Sequence, residues 1–324
     1  MDMPQNRYQI LCVGDMVADI FSSPLVRLPE PGELVLSDKI AVFPGGNALN
    51  TAIALRRLGE NVAVAGSIGD DALGRLLLDQ MQTQGLDVRS VRQEPGGRTA
   101  STFILRTEGQ DRRFIHSLGV AEAFTGEHVS AELIPHNGIM LVGGYLKLGA
   151  WDDKVLADLM CHARRRNCKV VLNICIAQGS GVDPGRCLSL LEYVDVFVPN
   201  EDEAHVLTGE TTPALQAKAL HMAGARVVVI TRGDRGLYAD DGELTVEMGI
   251  FKVPLVDPSG CGDCFNAGLI AALLRKWDIV HTLEFASAVG AIGATALGCT
   301  DGVTSFSEVE RFLEENKVDI SVNP

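Results

Sequence analysis

Short unbroken apolar runs recur along the chain, and between them apolar positions return every three to four residues. Ile10-Leu11-Cys12-Val13-Gly14 is the first run, and runs at 62–66, 139–143, 170–174, 194–198 and 227–231 repeat it. Continuous β-branched runs of this length predict parallel strands buried on both faces. Helical periodicity covers 73–84, 152–167, 203–207, 215–223 and 281–297. Gly85, Gly209 and Gly224 follow three of these stretches as stop signals. The second carries Val155, Leu156, Leu159 and Met160 on one face and an acidic start suited to capping. The last is rich in Ala and Gly, which predicts close packing against a sheet. Such alternation predicts an α/β fold, a doubly wound and mostly parallel sheet with helices on both faces. No internal repeat or low-complexity linker divides residues 1–324 into separate domains.

Two regions break the pattern. Residues 22–42 alternate polar with apolar side chains around several prolines. Residues 98–114 alternate similarly, through Thr99, Ser101, Phe103 and Leu105, around a turn at Glu108-Gly109-Gln110-Asp111. Both predict hairpin strands outside the parallel core.

Composition narrows the function classes. With 46% hydrophobic residues, the 324-residue chain can bury a sizeable core. A net charge of −14 argues against a nucleic-acid or anionic-membrane partner. It leaves room for a nucleotide, because glycine nests and helix starts bind phosphate locally. No run approaches the ~20 apolar residues of a membrane span, and Met1 to Arg7 carry no signal-peptide pattern. Eight scattered cysteines read as reduced thiols. Together these features predict a cytoplasmic protein.

Two glycine-rich loops carry the candidate chemistry. Asp257-Pro258-Ser259-Gly260-Cys261-Gly262-Asp263 opens onto an apolar helix. Unpaired N–H groups at a helix start attract anions. The amides of Gly260, Cys261 and Gly262 are therefore a candidate anion hole. Asp263 beside them is a candidate base for an attacking hydroxyl. The bland alternative is a loop ending in a capping aspartate. Pro44-Gly45-Gly46-Asn47-Ala48-Leu49-Asn50 opens a second helix, with Gly59 as its stop. Gly45 and Gly46 permit close approach of a ligand. Asn47 and Asn50, three apart, share a face and offer hydroxyl-binding groups. Cys261-Gly262-Asp263-Cys264 also forms a C-x-x-C, which raises a thiol–disulfide rival. A zinc site lacks a second ligand pair.

The two loops resemble the paired signatures of the ribokinase-like, PfkB-type family of carbohydrate and nucleoside kinases. The resemblance extends over nearly the whole chain. It includes Gly14-Asp15-Met16-Val17-Ala18-Asp19, Gly69-Asp70-Asp71-Ala72-Leu73-Gly74, Asn200-Glu201-Asp202-Glu203 and Thr231-Arg232-Gly233-Asp234-Arg235-Gly236. It implies a ribokinase-like fold with a small β-sheet lid, built from insertions at about 15–44 and 98–116, whose exposed apolar face often pairs two copies into a homodimer. The alternative for these insertions is a solvent hairpin with no gating role.

The resemblance also implies an ATP-dependent kinase acting on a small sugar or sugar acid. Asp263 is then the base and also meets the acceptor hydroxyl. Asp15, Asp19, Gly45, Gly46, Asn47 and Asn50 bind the sugar, and Arg106, Arg113, His116 and Lys147 are further candidate contacts. Asn200, Thr231, Gly233, Asp234 and Gly236 meet the nucleotide. Glu203 acts on Mg²⁺ through water. Asp257 and Ser259 are candidate K⁺ ligands, with carbonyls from 294–299. Read alone, Asn200 and Glu203 are a helix cap and a surface acid, and Gly233 and Gly236 are turn glycines. Pro258, Cys261 and Asn173 stand where relatives often carry Thr, Ala and Asp. The alternatives are a nucleoside kinase of the same family and a non-catalytic sugar- or nucleotide-sensing protein on the same fold.

Overall fold

The computed structural model describes residues 8–110, 112–177 and 179–324; the N-terminal heptapeptide and Asp111 of the expected turn lie outside them. The strands are β1 (Ile10–Gly14), β2 (Val17–Ser22), β3 (Ile40–Gly45), β4 (Val62–Gly69), β5 (Asp87–Glu94), β6 (Ala100–Leu105), β7 (Arg113–Ser117), β8 (Ile139–Gly143), β9 (Lys169–Leu172), β10 (Val196–Phe197), β11 (Val227–Thr231), β12 (Leu237–Asp240), β13 (Thr245–Met248) and β14 (Ile320–Asn323). The helices are α1 (Asn47–Arg57), α2 (Ala72–Thr83), α3 (Asp153–Arg165), α4 (Pro184–Leu188), α5 (Glu201–Thr208), α6 (Pro213–Met222), α7 (Cys261–Leu274), α8 (Ile279–Gly293) and α9 (Phe306–Glu315).

Ten strands form one sheet in the order β14-β13-β12-β11-β10-β9-β8-β1-β4-β5. Its pairings are parallel from β11 through to β5, and antiparallel from β11 to β14. The β-branched runs supply the parallel part. Buried residues of α1, α2, α7, α8 and α9 cover one face, and those of α3, α4, α5 and α6 the other. From β1 the chain builds outward through β4 and β5, then crosses to β8 and continues the other way. The boundary between β1 and β8 is thus the topological switch point, where α/β sheets leave a crevice beyond their strand ends.

A separate four-stranded sheet has the order β3-β2-β6-β7. β2 and β3 pair antiparallel, as do β6 and β7, while β2 and β6 run parallel. This is the small lid sheet. Its first two strands flank 22–42 instead of filling it, because the prolines of that stretch interrupt backbone pairing.

Some boundaries differ from the sequence pattern. Within 194–198 only Val196–Phe197 is strand, and α8 stops at Gly293 where the pattern runs to 297. There the chain turns away: Ala294 O accepts from Val256 N and Asp257 N, while Gly298 adopts φ 100°. Strands β5, β12, β13 and β14 and helices α4 and α9 complete the fold beyond the elements that the apolar runs mark.

Candidate functional site

Helix α7 begins at Gly260, whose φ of 76° lies in the left-handed region. A Cβ there would sit 2.2 Å from Cys299 O, so only glycine lets the loop cross that strand of chain. Nothing lies within 4 Å of a Cβ built on Gly262, which leaves the first turn open to a ligand. Cys261 N turns back to Pro258 O at 3.4 Å. Of the three amides expected at the anion hole, one therefore has a long internal bond.

Asp263 lies in the first turn of α7, buried against α1. Asn47 Nδ2 donates to its Oδ1 at 3.0 Å and Asn50 Nδ2 to its Oδ2 at 2.8 Å. The three-residue spacing on α1 places both amides on the carboxylate. Their donors thus serve Asp263 first, and the buried Asn50 Oδ1 has no protein donor, leaving an acceptor for a ligand hydroxyl. Burial pushes the Asp263 carboxyl up to about 7, and the nearby Asp15 charge adds to this. The two asparagines and Lys147 oppose the rise. This is the range in which a carboxylate can take and release a proton at neutral pH.

A cavity of about 200 Å³ opens over Asp263. Asp19, Gly46, Asn47, Asn50 and Lys147 line it on one side, with Ser259 and Gly260 on another. Asp19 is buried, and this burial raises its pKa, opposed by hydrogen bonds from Thr102 and Cys299. Cys299 Sγ donates to Asp19 Oδ2 at 3.4 Å. A Cβ on Gly45 would fall 2.0 Å from Asp19 Oδ2, so glycine there keeps the carboxylate's place. Asp15 lies behind this layer, accepting from Ala48 N and paired with Lys147 Nζ. Burial alone would pull the Lys147 ammonium down; Asp15 outweighs it and holds it above the usual range.

Three expected lid contacts lie elsewhere. Arg106 Nη2 donates to Val256 O at 2.7 Å, Arg113 bonds Thr107 and Gln110 beside it, and His116 Nδ1 meets Thr102 Oγ1 at 3.0 Å. None of them lines the cavity. Thr102, Arg112, Phe114 and Cys299 do line it, and the sequence reading missed them. The one available signal was the alternation of 98–114, which puts Thr102 and Phe103 on opposite lid faces.

The second group of motifs gathers at neighbouring strand ends. Asn200 and Thr231 face each other in a parallel bridge. Asn200 caps α5 in a reciprocal pair with Glu203: Glu203 N donates to Asn200 Oδ1 at 2.8 Å, and Asn200 N to Glu203 Oε2 at 2.9 Å. The cap reading is therefore correct, but Glu203 is buried and not a surface acid. Burial pushes its carboxyl up to about 7 against the hydrogen bonds from Asn200 and Ile176. Gly233 and Gly236 both have positive φ around the turn holding Asp234, and the space over Gly233 is open. Beyond β9, burial pushes the Cys175 thiol up to about 11.

Around Asp257 the loop is closely tied. Asp257 is fully buried and Oδ1 accepts from Ser259 N and Ser259 Oγ at 3.0 and 2.8 Å. The C-x-x-C thiols are unbridged. Burial pushes Cys261 up to about 11 and Cys264 well above its usual value, unlike the acidic thiol that disulfide exchange uses. Among the described residues no group of three or more His, Cys, Asp or Glu is placed to hold a metal, and no helix is long and apolar enough to cross a membrane.

Comparison with known proteins gives the same picture. The chain is 27% identical to the ribokinase of Haemophilus influenzae over 319 residues, covering 95% of this chain and 99% of the relative. It is 28% identical to the ribokinase of Bacillus subtilis over 310 residues, covering 94% and 99%. The solved Arabidopsis thaliana ribokinase, complexed with ribose and ATP, superposes with a TM-score of 0.78 at 22% identity, covering 95% and 99%. The family model for pfkB family carbohydrate kinases matches residues 8–305. This chain belongs to the pfkB family of carbohydrate kinases.

Proposed function

We propose that this protein transfers the γ-phosphoryl group of ATP to a hydroxyl of a small sugar or sugar acid, with Asp263 as base. One observation carries the reading: a buried carboxylate, fixed through both oxygens by Asn47 and Asn50, lies beneath a ligand-sized cavity at the open start of α7. Phosphoryl transfer needs alignment, charge stabilisation and a proton acceptor. Gly260, Cys261 and Gly262 offer amides to the transferred group, and Asp263 takes the hydroxyl proton as the bond to phosphorus forms. Asp19 and Asn50 Oδ1 accept from sugar hydroxyls, and Gly45 and Gly46 let the sugar approach. Asp15 acts through Lys147. The cavity of about 200 Å³ is smaller than the roughly 300 Å³ at which pockets for drug-sized ligands begin. A small polar ligand such as a monosaccharide suits a cavity of this size.

Asn200, Thr231, Gly233, Asp234 and Gly236 form the nucleotide side. The donor set there suits Mg²⁺: a single buried carboxylate at Glu203, with water completing the shell, is how this ion is commonly held. When bound, Mg²⁺ supplies charge neutralisation to the phosphates. Glu203→Gln can keep the acceptor for Asn200 N but not the one for Ile176 N, and should raise the Mg²⁺ concentration for half-maximal rate by roughly tenfold, the effect of losing an outer-shell partner. A magnesium titration checks this; an unchanged magnesium response with an altered sugar KM would reassign Glu203.

The acidic charge and the free thiols suit a cytoplasmic enzyme. The whole chain acts as one kinase domain. Phe103 and Ile115 are cross-strand partners that expose large apolar surface on the lid face turned away from the cavity, and β7 is exposed along its whole length. Two copies cover this face by pairing through their lids. Sedimentation velocity should show a dimer, and Ile115→Glu a monomer; a monomeric wild type would refute the pairing.

The sugar itself is identified by thermal unfolding across a panel of monosaccharides and sugar acids, with and without a nonhydrolysable ATP analogue. The accepted sugar raises the midpoint, because it binds the folded state alone. A panel with no stabilising sugar, beside a stabilising nucleoside, would move the reading to a nucleoside kinase.

A further inference from the structure

The donors around Asp257 do not fit the K⁺ ion that the sequence resemblance suggests. Asp257 Oδ1 is engaged by Ser259, and Oδ2 accepts from Gly298 N at 3.4 Å. Two carbonyls of the 294–299 stretch expected to complete the cage, those of Ala294 and Cys299, are engaged as well. Ala294 O accepts from Val256 N at 2.9 Å and Asp257 N at 3.1 Å, and Cys299 O accepts from Cys264 Sγ at 3.3 Å. A dehydrated monovalent cation needs several oxygens directed at it in place of its water.

A cation from the protein already faces this carboxylate. Arg112 leads into lid strand β7, and its Nη1 donates to Ser259 Oγ at 2.9 Å. The same nitrogen lies 3.9 Å from Asp257 Oδ1. The Ser259 hydroxyl passes the hydrogen bond on to Asp257 at 2.8 Å, so guanidinium, hydroxyl and carboxylate form a chain. The Phe114 ring centroid lies 5.5 Å from the guanidinium carbon. The Arg112 charge is also felt at the first residue of α7, where it draws the Cys261 thiol down against its burial. Arg106, from the same hairpin, holds Val256 O. The lid therefore grips the loop on both sides of Asp257. A carboxylate buried this fully is costly without a counter-charge.

We propose that Arg112 is the resident cation of this loop: delivered by the lid, it balances Asp257 and fixes Ser259 and Gly260 ahead of the anion-binding start of α7. Arg112 is a positioning residue, and the inference rests on the phosphoryl-transfer reading of the site. Two consequences follow from the geometry. The enzyme needs no monovalent metal ion. The phosphate loop is complete only when the lid is seated, so a lid closing over the sugar also orders the site that receives the phosphoryl group.

The test compares wild type, Arg112→Ala and Arg112→Lys in potassium, sodium and tetramethylammonium chloride at equal ionic strength. Rate and thermal unfolding midpoint are read in each salt. Wild type should be indifferent to the cation by both readouts. Arg112→Ala should lose kcat by roughly tenfold or more, as when a partner that orients a reacting group is removed. Added guanidinium below its unfolding range, the group the variant lacks, should restore part of that loss and lower the variant's midpoint less than it lowers that of wild type, whereas K⁺ should do neither. Arg112→Lys should retain the larger share of activity without added cation. A wild type that loses tenfold in tetramethylammonium, or whose midpoint rises only in K⁺, would overturn the inference. So would an Arg112→Ala protein equal to wild type, or one that guanidinium does not restore. If no sugar is phosphorylated the functional reading fails by itself, while the unfolding midpoints still decide the role of Arg112.

Discussion

Asp263→Asn should lower kcat by about 10²–10⁴-fold, the usual contribution of a general base, with ATP affinity within a few-fold of wild type. The amide keeps the size of the side chain and removes its basicity. Asn47 and Asn50 both donate to the carboxylate, so one of them must turn or lose its acceptor in the variant. The pH dependence of stability should also change. The folded-state carboxyl titrates at about 7, whereas an unfolded aspartate titrates near 4. Between these values the folded protein holds a proton that the unfolded chain has released, so wild-type stability falls as pH rises through this window. Asparagine cannot titrate. Its unfolding midpoint should gain on wild type from about pH 4 to 7 and hold that advantage above it. Calorimetry across pH, with kcat at each step, checks both parts. Near wild-type turnover would remove Asp263 from the role of base.

Gly260→Ala should disable the enzyme by a different route. The new Cβ would stand 2.2 Å from Cys299 O in a backbone with φ of 76°. The left-handed conformation alone costs a residue with a Cβ roughly 1–2 kcal/mol, and the clash adds to it. Relief requires Cys299 to move, and Cys299 Sγ holds Asp19 on the far side of the cavity. One methyl group therefore displaces the anion-binding amides and the sugar-binding carboxylate together. The expected result is a loss of roughly 2–4 kcal/mol of stability, within the range for strained backbone plus overpacking, and kcat lower by at least about 10². Gly262→Ala is the matched control, since its Cβ meets nothing within 4 Å and its stability should stay near wild type. Denaturant midpoints and kcat for the pair measure the contrast; two equally stable variants would show that Cys299 yields easily.

The parallel sheet was legible because its strands are buried on both faces and read as continuous apolar runs. Strand β5, Asp87–Glu94, did not show because it is a polar edge strand. Helix α9 did carry a local signal: Ser305 and Glu308 form a reciprocal cap, an S-x-x-E pattern visible in the sequence. The Asp263 constellation was legible as two helix starts with a carboxylate on one and two amides on the other. What joins them was not, because it depends on which strands become neighbours. Asp15 meets Lys147 only because β1 lies beside β8. Cys299 and Asp19 lie 280 residues apart and share a hydrogen bond. Arg112 was passed over for Arg106 and Arg113, since alternation along a hairpin gives a face but not the reach of a side chain. Glu203 looked like an exposed acid until the packing around α5 placed it inside.

Phosphorylation of a sugar through Asp263 can be measured directly. The most direct measurement incubates the protein with ATP, Mg²⁺ and the stabilising sugar, then quantifies ADP and phosphorylated sugar together, by mass, in wild type and Asp263→Asn. One phosphorylated sugar should appear per ADP in wild type, with formation slowed about 10²–10⁴-fold in the variant. A sugar that binds but gains no phosphate would contradict the account and identify the protein as a sensor on a kinase fold.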